Sequence, residues 1–89
     1  MPITEKFNNL LIPEKCRVIY LEGEFIMAIQ YYEYKINLYR LGDMLIEVFY
    51  SHKLDKIHKI ELLDYASSRM NFYTDQVSLN ELLVPQEGR

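Results

Sequence analysis

From residue 16 to residue 63, apolar and polar side chains alternate with a period of two, which is typical of β-strands. The alternating runs are rich in β-branched and aromatic residues, which favour strands. Four of them are separated by short polar or glycine-containing segments, at residues 16–21, 24–31, 34–41 and 44–50. Because the separations are too short for crossover connections, consecutive runs must pair antiparallel. The sequence therefore predicts an antiparallel meander.

Loop length decides which side chains share a face of this sheet, since a shift of one residue moves every side chain to the other face. A two-residue loop at Glu22-Gly23 and another at Tyr32-Glu33 keep the apolar sets of the first three runs together. For the next connection we predict a three-residue loop at residues 41–43, with a bulge, because it pairs Leu38 with Ile46. A two-residue Gly42-Asp43 loop would place polar residues of one strand opposite apolar residues of the next.

One continuous apolar face follows from these loops. It comprises Cys16, Val18, Tyr20, Phe25, Met27, Ile29, Ile36, Leu38, Met44, Ile46 and Val48. Residues 3–12 carry apolar side chains at helical spacing, with Thr4 as a plausible N-cap and Pro13 ending the run. This amphipathic N-terminal helix is the natural cover for the apolar face.

The C-terminal third is less clearly patterned. Residues 57–63 alternate as a fifth strand, although apolar residues there also recur every third position, which is close to helical spacing. Residues 64–76 fit either a helical turn or irregular structure. A capping box at residues 78–81 predicts a short helix near residues 79–84. The predicted fold class is α+β: an antiparallel meander of four to five strands, an N-terminal amphipathic helix and a short C-terminal helix.

The 89 residues predict a single domain, 1–89, and with 49% hydrophobic residues the chain can build a core. We expect a cytoplasmic protein, because the chain has one cysteine, no secretory signal pattern and no apolar run long enough to span a membrane. The net charge of −3 disfavours nucleic acid as a partner, since phosphate binding needs a basic surface. No membrane partner is predicted.

The predicted outer face of the sheet is about half apolar, whereas a solvated antiparallel face is mostly polar. One interpretation is that the C-terminal segment packs on this face, or that the sheet curls and buries part of both faces. The other is a protein–protein interface, with a symmetric homodimer as the leading arrangement. The candidate interface residues are Ile19, Leu21, Ile26, Tyr39, Leu45 and Phe49.

Eight tyrosines suggest an alternative, a small-ligand pocket between a curled sheet and its helices. We expect such a pocket to be lined by Tyr31, Tyr34 and Tyr50. Tyrosine is also a good strand former, so the enrichment has a purely structural explanation.

Catalytic and metal-binding patterns are missing from the sequence. His52 and His58 lack partners at zinc-ligand spacing, and Cys16 is placed on the inner face as a small hydrophobe. Glu47 is expected to pair with Asn37 across the strands, with Lys35 diagonal to it, as a structural polar pair. We therefore predict no catalytic, metal or cofactor site. The expected function is a non-enzymatic protein–protein interaction or homodimerisation module.

Overall fold

The computed structural model describes the backbone of residues 3–76 and the side chains of residues 6–76. The predicted C-terminal helix near residues 79–84 lies outside this part of the chain. The helices are α1 (Ile3–Asn8), α2 (Ile12–Glu22) and α3 (Met70–Thr74), and the strands are β1 (Glu24–Tyr31), β2 (Tyr34–Leu41), β3 (Met44–Ser51) and β4 (Lys56–Leu62).

The four strands form one antiparallel sheet in the order β1-β2-β3-β4, so the predicted α+β meander is confirmed. The predicted register of the first hairpin is also confirmed: Tyr31 faces Tyr34 and Ile29 faces Ile36. Tyr32 adopts a φ of 55° in the turn between them, a conformation that a non-glycine residue rarely takes. The turn therefore follows from the register of the strands, because its own residues do not favour it.

The predicted strand at residues 16–21 is wrong, since these residues belong to α2. Pro13 was expected to end a helix, and it lies instead in the first turn of this one, where a missing N–H costs nothing. Glu14 supports the same turn by accepting a hydrogen bond from the Leu11 amide at 2.9 Å. Without a strand at residues 16–21, the described sheet has four strands, and residues 56–62 supply the fourth.

The N-terminal helix is shorter than predicted. It ends at Asn8, whereas the predicted helix covered residues 3–12. Phe7 is buried and Leu10 is partly buried, whereas Leu11 is exposed and precedes α2. The amphipathic character of the whole predicted segment stays a prediction.

The predicted three-residue loop between the second and third strands is wrong. Leu41 pairs with Met44 around a two-residue turn, in which Gly42 takes the left-handed φ of 62°. The observed register shifts β3 by one residue relative to the predicted one. Glu47 therefore pairs with Leu38, and Phe49 pairs with Ile36. The two apolar sets that the sequence analysis separated are thus mixed on each face of the sheet.

A β-bulge in β1 changes the predicted face a second time. Phe25 pairs with Tyr39 and Met27 with Leu38, which leaves Ile26 as the extra residue. As a result Ile26 and Met27 both contact the cluster that includes Leu38. Phe25 lies on the other face, where its ring meets that of Tyr39 edge-on at 5.6 Å.

Both faces of the sheet are covered, because helices lie on each side. On the α2 face, α1 and α2 cover a cluster of buried residues: Phe7, Ile19, Leu41, Met44, Ile46, Val48 and Ile60. On the α3 face, Leu63 and Tyr73 complete a second cluster with Ile29, Ile36, Leu38, Leu45 and Phe49. The half-apolar composition of the predicted outer face is accounted for in large part by this packing.

Gly23 ends α2 and leads directly into β1 in a very close contact. A Cβ at this position would lie 2.7 Å from the carbonyl oxygen of Ile19, and a backbone atom cannot easily move away. We expect Gly23→Ala to lower the free energy of unfolding by about 1–3 kcal/mol, measured by urea denaturation.

Gly42→Asn is the matched control for this substitution. No described atom lies within 4 Å of a Cβ at Gly42, and asparagine tolerates the left-handed φ. It should therefore unfold close to the native midpoint. Equal losses from the two variants would show that the Ile19 contact is unimportant.

Candidate functional site

Glu47 is a fully buried carboxylate in the middle of β3. Arg69 holds it from above the sheet, with Nε donating to Oε2 at 2.9 Å and Nη2 donating to Oε1 at 2.8 Å. The Tyr73 hydroxyl donates a third hydrogen bond to Oε2 at 2.8 Å. The predicted Asn37 partner is wrong, because the strand register points Asn37 to the other face, opposite Val48.

Glu47 and Arg69 form a bidentate salt bridge. Arg69 contacts both carboxylate oxygens, the strong two-point geometry for this pair of side chains. The guanidinium also lies over the rings of Phe49 at 5.1 Å and Tyr31 at 5.7 Å. Hydrogen bonding to Glu47 raises the pKa of Arg69, and burial followed by the charge of Glu47 raises the pKa of Tyr73. The site joins α3 and the preceding loop to the sheet.

Removing the cation should expose the cost of burying Glu47. We expect Arg69→Met to lower the free energy of unfolding by about 3–5 kcal/mol, because it leaves a buried carboxylate without its counterion. The double variant Glu47→Gln/Arg69→Met should recover part of this loss in a double-mutant cycle of urea unfolding.

Lys59→Met is the control for that cycle. The Lys59 ammonium lies 4.6 Å from the centre of the Phe49 ring, and its ion pair with Glu61, at 3.4 Å, is half-exposed. Its loss should therefore cost no more than about 1 kcal/mol. Similar costs for Arg69→Met and Lys59→Met would contradict the assignment of Arg69 as the essential partner of Glu47.

The raised pKa of Tyr73 predicts a loss of stability at alkaline pH. The unfolded chain releases the Tyr73 proton near the ordinary pKa of 10.0, whereas the folded chain retains it. Above about pH 10 the unfolded chain therefore binds fewer protons, and the free energy of unfolding falls. Tyr73→Phe should make this fall less steep in unfolding curves collected from pH 8 to pH 12, and an unchanged slope would contradict a raised pKa at Tyr73.

The candidate interface residues do not share one exposed surface. Ile19, Leu45 and Phe49 are buried inside the chain, with 6%, 2% and 2% of their surface exposed. Their assignment to an exposed face was wrong, because Ile19 lies on the side of α2 that packs on the sheet and the two-residue turn at Gly42 moves β3 by one residue. Ile26 and Tyr39 are partly buried on opposite faces, and Leu21 is exposed on α2.

The three tyrosines of the predicted ligand pocket are not brought together. Tyr31 and Tyr34 pack against the cluster on the α3 face. Tyr50 pairs with Lys35, on the other face, and its hydroxyl donates to Asp55, which raises the pKa of Tyr50. The structure therefore does not support a pocket built from this set.

The remaining candidates of the sequence analysis lie apart. His58 stacks on Tyr34 at 5.3 Å, and His52 lies 3.3 Å from the side-chain oxygen of Gln30. Cys16 is a free thiol that packs against the cluster on the α2 face. Within the described part of the chain, no three His, Cys, Asp or Glu side chains are grouped as a metal site would require.

The two edges of the sheet differ in their backbone groups. Tyr31 and Tyr34 flank a two-residue turn and form a hydrogen-bonded pair, and bonding alternates along an antiparallel ladder. The N–H and C=O groups of Ala28 and Gln30 therefore point away from β2, and no other segment within residues 3–76 pairs with them. We call these outward groups the β1 edge.

The β4 edge is protected by comparison. Its strand carries four ionisable side chains, Lys56, His58, Lys59 and Glu61. The carbonyl oxygen of Ile60 is already occupied, since it accepts a hydrogen bond from Lys15 Nζ on α2 at 2.9 Å. A register shift at His58 further interrupts the ladder. Charges, bulges and covering groups are the devices by which proteins keep an edge strand from pairing with another chain.

The β1 edge has little of this protection. Its only charged residue is Glu24, at the start of the strand, which pairs with Arg40 at 2.6 Å. Residues 25–31 contain no charge and no proline, and the single bulge lies near the beginning of the strand. A long edge of this composition is a typical site for pairing with an additional strand.

Exposed apolar side chains lie next to the β1 edge. Tyr20, Leu21 and Phe25 are 87%, 63% and 53% exposed, on the last turn of α2 and the first residues of β1. A groove of about 460 Å³ separates α2 from the sheet here; its lining residues are Cys16, Ile19, Tyr20, Gly23, Phe25, Tyr39, Val48 and Ile57. The edge and the groove thus form one mainly apolar surface, which we call the β1 surface.

Sequence reasoning missed the β1 surface for an identifiable reason. With a strand assigned to residues 16–21, β1 became an interior strand, and its lack of charge looked unremarkable. The sequence signal for an open edge was the contrast between the uncharged run at residues 25–31 and the charged run at residues 56–61.

The helices of the described chain include none that is long and apolar enough to cross a membrane. The chain matches no protein-family model, and no curated protein or solved structure is detectably similar to it.

Proposed function

We propose that this chain is a protein–protein interaction module that binds an extended segment by strand addition at the β1 edge, with no catalytic activity of its own. The observation that carries the proposal is the difference between the two edges. The β4 edge is charged, bulged and capped by Lys15, whereas residues 25–31 present an uncharged strand with outward backbone groups. A sheet that protects one edge and leaves the opposite edge open fits a binding role for the open edge.

Strand addition assigns separate tasks to the parts of the β1 surface. The outward N–H and C=O groups of Ala28 and Gln30 supply main-chain hydrogen bonds, which provide affinity without reading sequence. The groove beside α2 receives an apolar side chain of the added strand, and Tyr20 and Phe25 flank its opening. We therefore expect a partner segment that is extended and uncharged, with an apolar residue near Phe25.

The buried carboxylate supports a non-catalytic role. Both oxygens of Glu47 are held by Arg69, and Tyr73 takes a further position. A general acid or base must reach a substrate, and a carboxylate that is fully buried and bonded in this way has no such access. We also propose a cytoplasmic location, which the single free thiol of Cys16 supports.

The proposal is tested with the full chain and a peptide copy of residues 24–31, extended by lysines for solubility. At saturating peptide we expect amide exchange at Ala28 and Gln30 to slow by about tenfold, because their N–H groups become hydrogen-bonded. The measurement is residue-resolved hydrogen exchange by NMR, at a chain concentration low enough to keep the chain monomeric.

Two controls accompany this titration. A peptide with proline in place of the alanine cannot complete the ladder and should protect neither amide. The Leu63 N–H donates to the Leu45 carbonyl of β3 at 2.8 Å, so the amide of the preceding residue, Leu62, points outward from β4. This Leu62 amide should exchange at the same rate with and without peptide. Absence of protection at Ala28 and Gln30, or equal protection on β4, would show that the β1 edge is not a binding site.

A further inference from the structure

We propose that the partner of the β1 edge is a second copy of this chain, with the two β1 strands antiparallel across a two-fold axis at Ala28. The inference rests on the proposed function, because it names the strand that is added. In this arrangement Ala28 of one copy faces Ala28 of the other. The two four-stranded sheets then become one continuous sheet.

The hydrogen-bond alternation allows this register, and the small side chain of Ala28 favours it over one with Ile29 on the axis. Two opposed residues can exchange backbone hydrogen bonds only if the N–H and C=O groups of both point out from their sheets. On β1 the residues with outward groups include Ala28 and Gln30. An axis at Ala28 lets each Ala28 N–H donate to the other copy's Ala28 carbonyl. It also places Gln30 opposite Ile26 of the other copy, the bulged residue, so the regular part of the shared ladder is centred on Ala28. The small Ala28 side chain allows the close approach that two identical residues on a symmetry axis require.

Charge is compatible with pairing between identical strands. Residues 25–31 carry no charge, so no like charges meet anywhere along the shared ladder. Glu24 falls beyond the paired region and is neutralised by Arg40 within its own chain. The same operation centred on Ile60 of β4 is obstructed, because the Ile60 carbonyl already accepts the hydrogen bond from Lys15 Nζ.

Closure favours a second copy over an unrelated strand. Two-fold pairing uses the open edge of both molecules at once, and such isologous contacts end at the dimer. The continuous sheet then finishes at two β4 edges, each with charged side chains and with Lys15 on the Ile60 carbonyl. All remaining edges are therefore of the protected kind. If an unrelated segment paired with β1, that segment would itself form the new outer edge of the sheet in place of a protected β4 strand.

The experiment compares the solution masses of three full-length chains by light scattering behind size exclusion, over a range of concentrations. The native chain should approach twice the monomer mass as its concentration rises. Ala28→Pro should remain at the monomer mass, because proline removes the outward N–H and leaves the hydrogen bonds to β2 intact. Ala28→Ser keeps the N–H and should dimerise like the native chain.

Amide exchange on the native chain provides a measurement that does not depend on the folding of the proline variant. Protection at Ala28 should increase with chain concentration, whereas protection at the outward Leu62 amide should not change. A native chain that stays monomeric throughout, or a dimer that a folded Ala28→Pro variant still forms, would overturn the inference.

The peptide titration separates failure of this inference from failure of the proposed function. If the chain is monomeric and the peptide still protects Ala28 and Gln30, the edge binds a strand that is not supplied by a second copy. If the chain is monomeric and the peptide has no effect, both the inference and the proposed function are wrong.

Discussion

The ion pair between Glu47 and Arg69 determines how the C-terminal part of the described chain lies on the sheet. A carboxylate in the centre of β3 is tolerable only if its charge is matched and its oxygens are hydrogen-bonded. Arg69 meets both needs, and Tyr73 adds a hydroxyl from α3. Because α3 has only five residues, its own hydrogen bonds contribute little, and this network fixes its position. The α3 face is buried as a consequence.

How much of this could be read from the sequence depended on how each strand is buried. The hairpin of β1 and β2 was predicted with the correct turn, since pairing Ile29 with Ile36 satisfied its alternation. On β3 the same argument failed, because this central strand is buried on both faces and is apolar at nearly every position. The bulge at Ile26 has no sequence signal. Residues 16–21 alternate like a strand, whereas Ile12, Cys16 and Ile19 follow helical spacing, and packing against the sheet decides in favour of α2.

The candidate site was likewise only partly predictable from the sequence. The individual residues of the β1 surface were visible in the sequence, but their exposure depends on α2 being a helix, which makes β1 an edge strand. Arg69 as the partner of Glu47 lies 22 residues away along the chain, and no local pattern connects the two. Long-range contacts of this kind are decided by tertiary packing, which spacing rules do not capture.

The bond between Lys15 and the Ile60 carbonyl also affects how the sheet comes apart. α2 has 11 residues and is about 16 Å long, close to the width of about 14 Å expected for four strands. Its first half is attached to the last strand through Lys15, and its end continues through Gly23 into the first strand. One rigid helix thus bridges the two borders of the sheet. Detachment of β4 must break the bond from Lys15, and α2 is joined directly to β1 at Gly23, so the helix couples opening at the two borders of the sheet.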